Sequence, residues 1–266
     1  MSARRDATVG RTSSPRPDWG LDVTRAQSRT GAATAAPPRA GSVRQIAGYP
    51  AASSAVALPG GAVTLYTVAD LETLVDRDAL LRGDAEPPYW AYLWTGARCL
   101  AAYLASWVDV CGRRVLDAGC GLGLPGLVAA RGGGAVLFVD VVAPALAFVE
   151  ASARANGLTC GTLCADFRGL GSDLRFDVVL AAEVAYDPAG FGSLADLFVR
   201  HLAPGGVALL ADGFRTDTRP LYRELAARHL ATHAIDVRVI EEGRAATVRL
   251  TAIAVAARRR RADPPR

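Results

Sequence analysis

One stretch of this chain constrains its fold more than any other: Val115-Leu116-Asp117-Ala118-Gly119-Cys120-Gly121-Leu122-Gly123. It reads as a buried strand entering a glycine turn, with a helix opening at Pro125. A carboxylate, Asp117, stands at the end of the strand. A second, Asp140, ends the next apolar run, Val136-Leu137-Phe138-Val139. Strand, glycine turn, helix, strand and acid is an order that holds a nucleoside. The backbone approaches the ligand where glycine allows it, and the second acid reaches a ribose.

The flanking sequence extends this unit into a domain. From Arg114 onward strands and helices alternate: strands 114–118, 135–140, 160–165, 176–183 and 206–212, with helices 124–131, 144–156, 190–202 and 217–230 between or after them. Central apolar runs such as Val178-Val179-Leu180 predict a mostly parallel sheet covered on both faces. The ending differs. Strands 234–241 and 246–255 flank Glu241-Glu242-Gly243-Arg244 with no helix between them, which predicts a terminal antiparallel hairpin. The fold class expected is α/β: a Rossmann-like seven-stranded sheet, mostly parallel, with helices on both faces. Asn156-Gly157 reads as a helix end.

Upstream, residues 70–81 have helical spacing with acids near the start, and Pro87-Pro88 stops them. An aromatic stretch, Tyr89-Trp90-Ala91-Tyr92-Leu93-Trp94-Thr95-Gly96, precedes a helix over about 96–107; it packs a core or lines a site. Residues 1–58 are rich in Ser, Thr, Arg, Ala, Pro and Gly and lack apolar periodicity, so they are expected to be a disordered tail. Ordered structure is expected from near Gly61, giving a domain over 59–256 and a basic tail over 257–266 that holds Arg258 to Arg261.

Composition bounds the rest. Hydrophobic residues make up 51% of the 266, enough for a sizeable core. All basic residues are arginine, and the net charge of +4 comes partly from the two ends, so it argues little for a nucleic-acid partner. No apolar run approaches ~18 residues, so no membrane span is expected. Cys99, Cys111, Cys120, Cys160 and Cys164 are an odd number without CxxC spacing, which predicts free thiols in a reducing compartment, the cytoplasm. The acid-poor, arginine-rich N-terminus leaves organellar targeting open. His229 and His233 are four apart but no cysteine or acid cluster joins them, so no metal site is expected.

Gly121-x-Gly123-x-x-Gly126 matches the dinucleotide fingerprint, but two features argue against a dinucleotide. Asp117 lies two residues before Gly119, the first glycine of the turn, where a pyrophosphate would meet unfavourable charge. The flanks offer no basic group for phosphates. A ligand with an amino-acid ammonium, a ribose and an adenine fits better, which points to S-adenosylmethionine. An oxidoreductase using a dinucleotide is the rival from another class.

At these residues the chain resembles the seven-strand, class I S-adenosylmethionine-dependent methyltransferases. The run Val115 to Gly123, Asp140, Ala165-Asp166-Phe167 and Pro204-Gly205-Gly206 carry the likeness. Pro88 to Gly96 and Glu183-Val184-Ala185-Tyr186 are similar to lysine methyltransferase family 16. The branch in view holds the electron-transfer-flavoprotein β-subunit lysine methyltransferase and bacterial nicotinamide N-methylase-like proteins. Ala211-Asp212-Gly213-Phe214-Arg215 resembles that branch's acid-glycine-arginine turn loosely.

The resemblance implies roles. Trp94 and Gly96 would border the cofactor, and Asp117, Gly119 and Gly121 would form the pocket for its methionine end. Asp140 would take both ribose hydroxyls, Asp166 would accept from the adenine amino group, and Phe167 would lie by the ring. Glu183 and Tyr186 would be catalytic: Tyr186 beside the reactive methyl, Glu183 orienting a neutral acceptor amine. The partner implied is a protein presenting a lysine. A small-molecule N-methyltransferase and an RNA methyltransferase are the rivals within the fold.

Overall fold

The computed structural model describes residues 44–256, apart from Asp76, Ala85, Glu242 and Gly243. In chain order its elements are β1 (Arg44–Ile46), β2 (Tyr49–Leu58), β3 (Gly61–Val68), α1 (Arg77–Arg82) and α2 (Thr95–Trp107), then β4 (Arg114–Ala118), α3 (Leu124–Arg131), β5 (Ala135–Asp140), α4 (Ala143–Ala155) and β6 (Gly161–Cys164). β7 (Phe176–Ala182), α5 (Phe191–His201), β8 (Leu202–Asp212), α6 (Arg219–Ala227), β9 (Leu230–Glu241) and β10 (Arg244–Val255) complete it.

The last seven strands form one sheet in the order β6-β5-β4-β7-β8-β10-β9. Neighbours from β6 to β8 are parallel, and β10 runs antiparallel to both β8 and β9. This is the sheet expected. Its strands are buried on both faces because successive side chains point to opposite sides. In β7, Val178 and Leu180 join one core while Val179 and Ala181 join the other, and all four are fully buried. The first core is closed by α2, α3 and α4 through residues such as Leu100, Leu127 and Phe148, the second by α5 and α6. In α5, Phe191, Leu194, Ala195 and Phe198 are buried at the spacing that puts them on one helical face. Each buried Leu or Phe contributes roughly 1.5–3 kcal/mol, more than any difference in helix propensity along the segment.

This topology makes the crevice. β4 has β5 on one side and β7 on the other. The helices that follow β4 and β7, α3 and α5, pack into opposite cores. In open α/β sheets ligands bind at the carboxyl ends of strands where the order reverses, and here that point is the end of β4.

The expected tail over residues 1–58 needs correction from residue 44 onward. β1, β2 and β3 pair as an antiparallel three-stranded sheet. Ala and Ser fill six of the ten positions of β2, so no apolar alternation announces it. Its strand state comes from tertiary partners. The β3 edge not paired with β2 is covered by side chains at the end of α4. Tyr66 N–H donates to Ser152 Oγ at 2.9 Å, Thr64 N–H to Asn156 Oδ1 at 2.9 Å, and Asn156 Nδ2 returns a bond to Thr64 O at 2.7 Å. The segment expected as one helix over 70–81 is a 3-10 turn, Leu71–Leu74, followed by α1, because the Asp70 carboxylate folds back onto the Glu72 N–H and Val75 is extended.

The rest of the expected tail, residues 1–43, the basic tail 257–266 and the turn residues Glu242 and Gly243 lie outside the described residues. Among the described residues no helix is long and apolar enough to cross a membrane, the five cysteines are free, and no group of three or more His, Cys, Asp or Glu side chains could hold a metal ion.

Candidate functional site

β4 carries Asp117 to the crevice, but the structure buries it: the residue is 1% exposed. Its Oδ2 accepts the Gly126 N–H at 2.9 Å, tying the strand to α3. A Cβ on residue 126 would lie 2.7 Å from that oxygen and 2.3 Å from the Phe138 ring, so only glycine fits. Burial pushes the Asp117 carboxyl up to about 7 against the pull of the Gly126 bond, and the charge of Asp140 adds to the rise. Asp117 therefore stands behind the turn.

The turn itself is built from Gly119, Gly121 and Gly123, with φ of 64°, 51° and 72°. This left-handed backbone is what glycine tolerates without steric cost. The Gly119 and Cys120 N–H groups donate to Val139 O at 2.9 and 3.1 Å, which locks the turn to β5. Gly121 N–H donates to Asp140 Oδ2 at 2.8 Å, and Val142 N–H donates to Asp140 Oδ1 at 2.9 Å. Each Asp140 oxygen accepts one backbone bond and keeps further acceptor capacity. Burial raises the Asp140 pKa, and its backbone donors oppose the rise. A ribose diol needs one carboxylate with two available oxygens beside backbone a ligand can approach closely. Asp140 and Gly121 meet that description, so the residues present fit an adenosyl group.

Asp166 and Phe167 follow β6. Asp166 Oδ1 accepts the Arg168 N–H at 2.8 Å and Oδ2 accepts Arg168 Nε at 2.7 Å. These bonds to Arg168 hold the carboxyl below the usual carboxylate range. The acid is thus engaged in its own turn. Phe167 packs against the second core.

Glu183 and Tyr186 lie just past β7. Glu183 has φ 58°, a left-handed conformation unusual for a residue with a side chain. Its side chain is 5% exposed. Oε1 accepts the Gly96 N–H at 3.1 Å, and Oε2 accepts Arg215 Nε at 3.1 Å. Burial raises its pKa, while Arg215 and the Gly213 backbone pull it down. The acid is held inside the protein and faces Arg215. Tyr186 is 49% exposed. Its ring packs 5.7 Å from that of Tyr89, and Trp94 lies against Tyr89 and Tyr92. Trp94 is fixed by its Nε1, which donates to Tyr89 O at 2.9 Å.

Residues 115–206 match the family described as a methyltransferase domain. Over those residues the chain carries a methyltransferase domain. It is 32% identical over 105 residues to the electron transfer flavoprotein beta subunit lysine methyltransferase of Danio rerio, a match covering 38% of this chain and 40% of that protein. It is 29% identical over 122 residues to a ubiquinone biosynthesis O-methyltransferase of Rickettsia prowazekii (strain Madrid E), covering 46% and 48% respectively. The chain thus spans about half or less of the length of these curated relatives. Among solved structures, magnesium protoporphyrin IX methyltransferase from Synechocystis PCC 6803 with bound S-adenosylmethionine superposes with a TM-score of 0.50. That likeness is one of fold, at 18% identity, over 69% of this chain and 97% of that one.

The aromatic stretch upstream of the matched residues divides. Trp90 packs inward against Tyr49 and Phe148, while Tyr89, Trp94 and Tyr186 gather at the crevice. Arg215 belongs to this group and was assigned no role from sequence. Its guanidinium carbon lies 4.2 Å from the Trp94 ring centroid. The signal available was the Asp212-Gly213-Phe214-Arg215 turn at the end of β8, on the crevice side of the sheet.

Proposed function

We propose that this chain transfers a methyl group from S-adenosylmethionine to nitrogen, and that the acceptor is a lysine side chain on a protein. The observation that carries the reading is the aromatic wall of Tyr89, Trp94 and half-exposed Tyr186, set beside the Glu183–Arg215 pair at the open edge of the crevice.

S-adenosylmethionine supplies an electrophilic methyl group; the remaining work is alignment and desolvation. On this reading Asp140 holds the ribose, with Gly119 and Gly121 admitting the donor's methionine end and Asp117 behind them. Trp94 and Gly96 border the same end, while Asp166 and Phe167 serve the adenine. An acceptor amine must arrive neutral. The Tyr186 hydroxyl orients it, and the rings of Tyr186 and Trp94 face the positive charge that develops as nitrogen gains carbon. Glu183 acts at one remove, through Arg215 and Gly96.

The Danio rerio relative is named for a protein lysine, which supports the acceptor class. A small-molecule acceptor is the second reading, favoured by the likeness to a ubiquinone biosynthesis enzyme. Incubating the purified chain with radiolabelled donor and a cell extract separates them. Label recovered as methyllysine in protein is expected; label confined to small molecules moves the acceptor to the second reading.

A further inference from the structure

Arg215 is held more tightly than a bystander needs to be. Nε donates to Glu183 Oε2 at 3.1 Å and Nη2 donates to the Glu183 backbone oxygen at 2.7 Å, so one edge of the guanidinium is spent on a single buried residue. Its guanidinium carbon lies near two rings, 4.2 Å from the Trp94 centroid and 5.6 Å from that of Tyr186. Nη1 has no partner among the described residues. The arginine side chain is 30% exposed, against 5% for the glutamate behind it.

The cost of this arrangement is visible elsewhere. Glu183 adopts a left-handed backbone. Two glycines make room for its carboxylate: a Cβ at Gly96 would lie 2.3 Å from Oε1, and a Cβ at Gly213 2.8 Å from the same atom. Three chain segments accept constraints so that one acid can sit behind one arginine. A guanidinium braced along the Nε–Nη2 edge and packed against aromatic rings presents its other edge, Nη1 with the second N–H of Nη2, as a rigid two-pronged donor. That shape matches a carboxylate. Its position fits a ligand in the crevice: Val184, next to Glu183, abuts the glycine turn, where a Cβ on Gly119 would lie 2.7 Å from Val184 Cγ1.

We propose that Arg215 is a carboxylate-binding residue of the crevice, with Glu183 as the positioning residue that aims it. The proposal rests on the methyl-transfer reading for its ligands. The carboxylate has two sources, the amino-acid end of the donor or an acidic group on the acceptor.

Titration calorimetry with two probes separates the sources. S-adenosylhomocysteine has the amino-acid end; 5′-methylthioadenosine has the same nucleoside without it. If the donor supplies the carboxylate, Arg215→Met and Arg215→Lys weaken S-adenosylhomocysteine by roughly ten-fold or more and leave methylthioadenosine unchanged. If the acceptor supplies it, both affinities hold, and label transfer into extract protein falls by a similar factor in the variants. That difference vanishes when the extract's carboxylates are first capped as amides. Each variant is also made in a Glu183→Gln background, which leaves no unpaired buried acid to unfold the chain. Wild-type affinities together with wild-type label transfer in all variants would overturn the proposal alone. Failure of the unaltered chain to bind S-adenosylhomocysteine would overturn the methyl-transfer reading and this proposal with it.

Discussion

The Glu183 carboxylate reaches across the crevice edge to the first turn of α2, where its Oε1 accepts the Gly96 N–H at 3.1 Å. Contact is so close that residue 96 has no room for a side chain; a Cβ would stand 2.3 Å from that oxygen. Gly-to-Ala inside a helix ordinarily gains about 0.5–1 kcal/mol. Here the carboxylate is pinned by Arg215 and cannot step aside, so the clash decides the sign. Gly96→Ala is expected to cost about 1–3 kcal/mol in denaturant unfolding and to reduce methyl transfer. A variant as stable as the parent would mean that Glu183 is free to move.

Asp117 predicts a pH dependence of stability. Its carboxyl is raised from 3.8 to about 7 in the folded chain. The folded state therefore holds this proton more tightly than the unfolded state, and the stability it contributes is lost as pH rises from near 3.8 to about 7. Asp117→Asn keeps an acceptor for the Gly126 N–H and removes the charge. Its stability relative to the parent is expected to climb through that window and level off above it, as read by urea unfolding across the range. Parallel curves for the two proteins would refute the assignment.

Asn156 predicts how the N-terminal sheet is attached. Its amide donates to Thr64 O and Ser152 O, both at 2.7 Å, and accepts from Thr64 N–H. Asn156→Ala leaves both Thr64 backbone groups without that partner, at about 1–3 kcal/mol for each group left unsatisfied. Limited proteolysis is expected to cut within β2 and β3 in the variant before it cuts β4 to β8. Unchanged digestion would show that the sheet is held by packing alone.

These sites also show what could be read without coordinates. The spans of β4, α3 and β5 match their expected bounds because glycine and proline punctuate them, and because a strand buried on both faces has an unbroken apolar run. Gly121 and Asp140 were legible for the same reason: the turn and the following strand end are close in sequence. β2 was not. Its Ala and Ser carry no period, and its neighbour β3 is held by Asn156, 92 residues from Thr64. The turn that carries Arg215 was visible, but the arginine's contact with Glu183 was not. The residue that aims it lies 32 positions earlier, and the space for that contact is made by side chains that Gly96 and Gly213 lack.

The role proposed for Tyr186 predicts that binding and transfer can be separated. Tyr186→Phe keeps the ring stacked beside Tyr89 and removes only the hydroxyl. Loss of one hydrogen bond to the acceptor is expected to slow transfer roughly ten-fold or more, with S-adenosylhomocysteine affinity unchanged. Equal loss of both would place Tyr186 in the donor site instead.

The most direct measurement is calorimetric titration of S-adenosylhomocysteine into the unaltered chain and into Asp140→Ala. One donor site at the glycine turn predicts saturable binding at one molecule per chain, abolished by removing the carboxylate that meets Gly121 N–H at 2.8 Å. Binding that survives intact in Asp140→Ala, with the variant folded, would contradict the account.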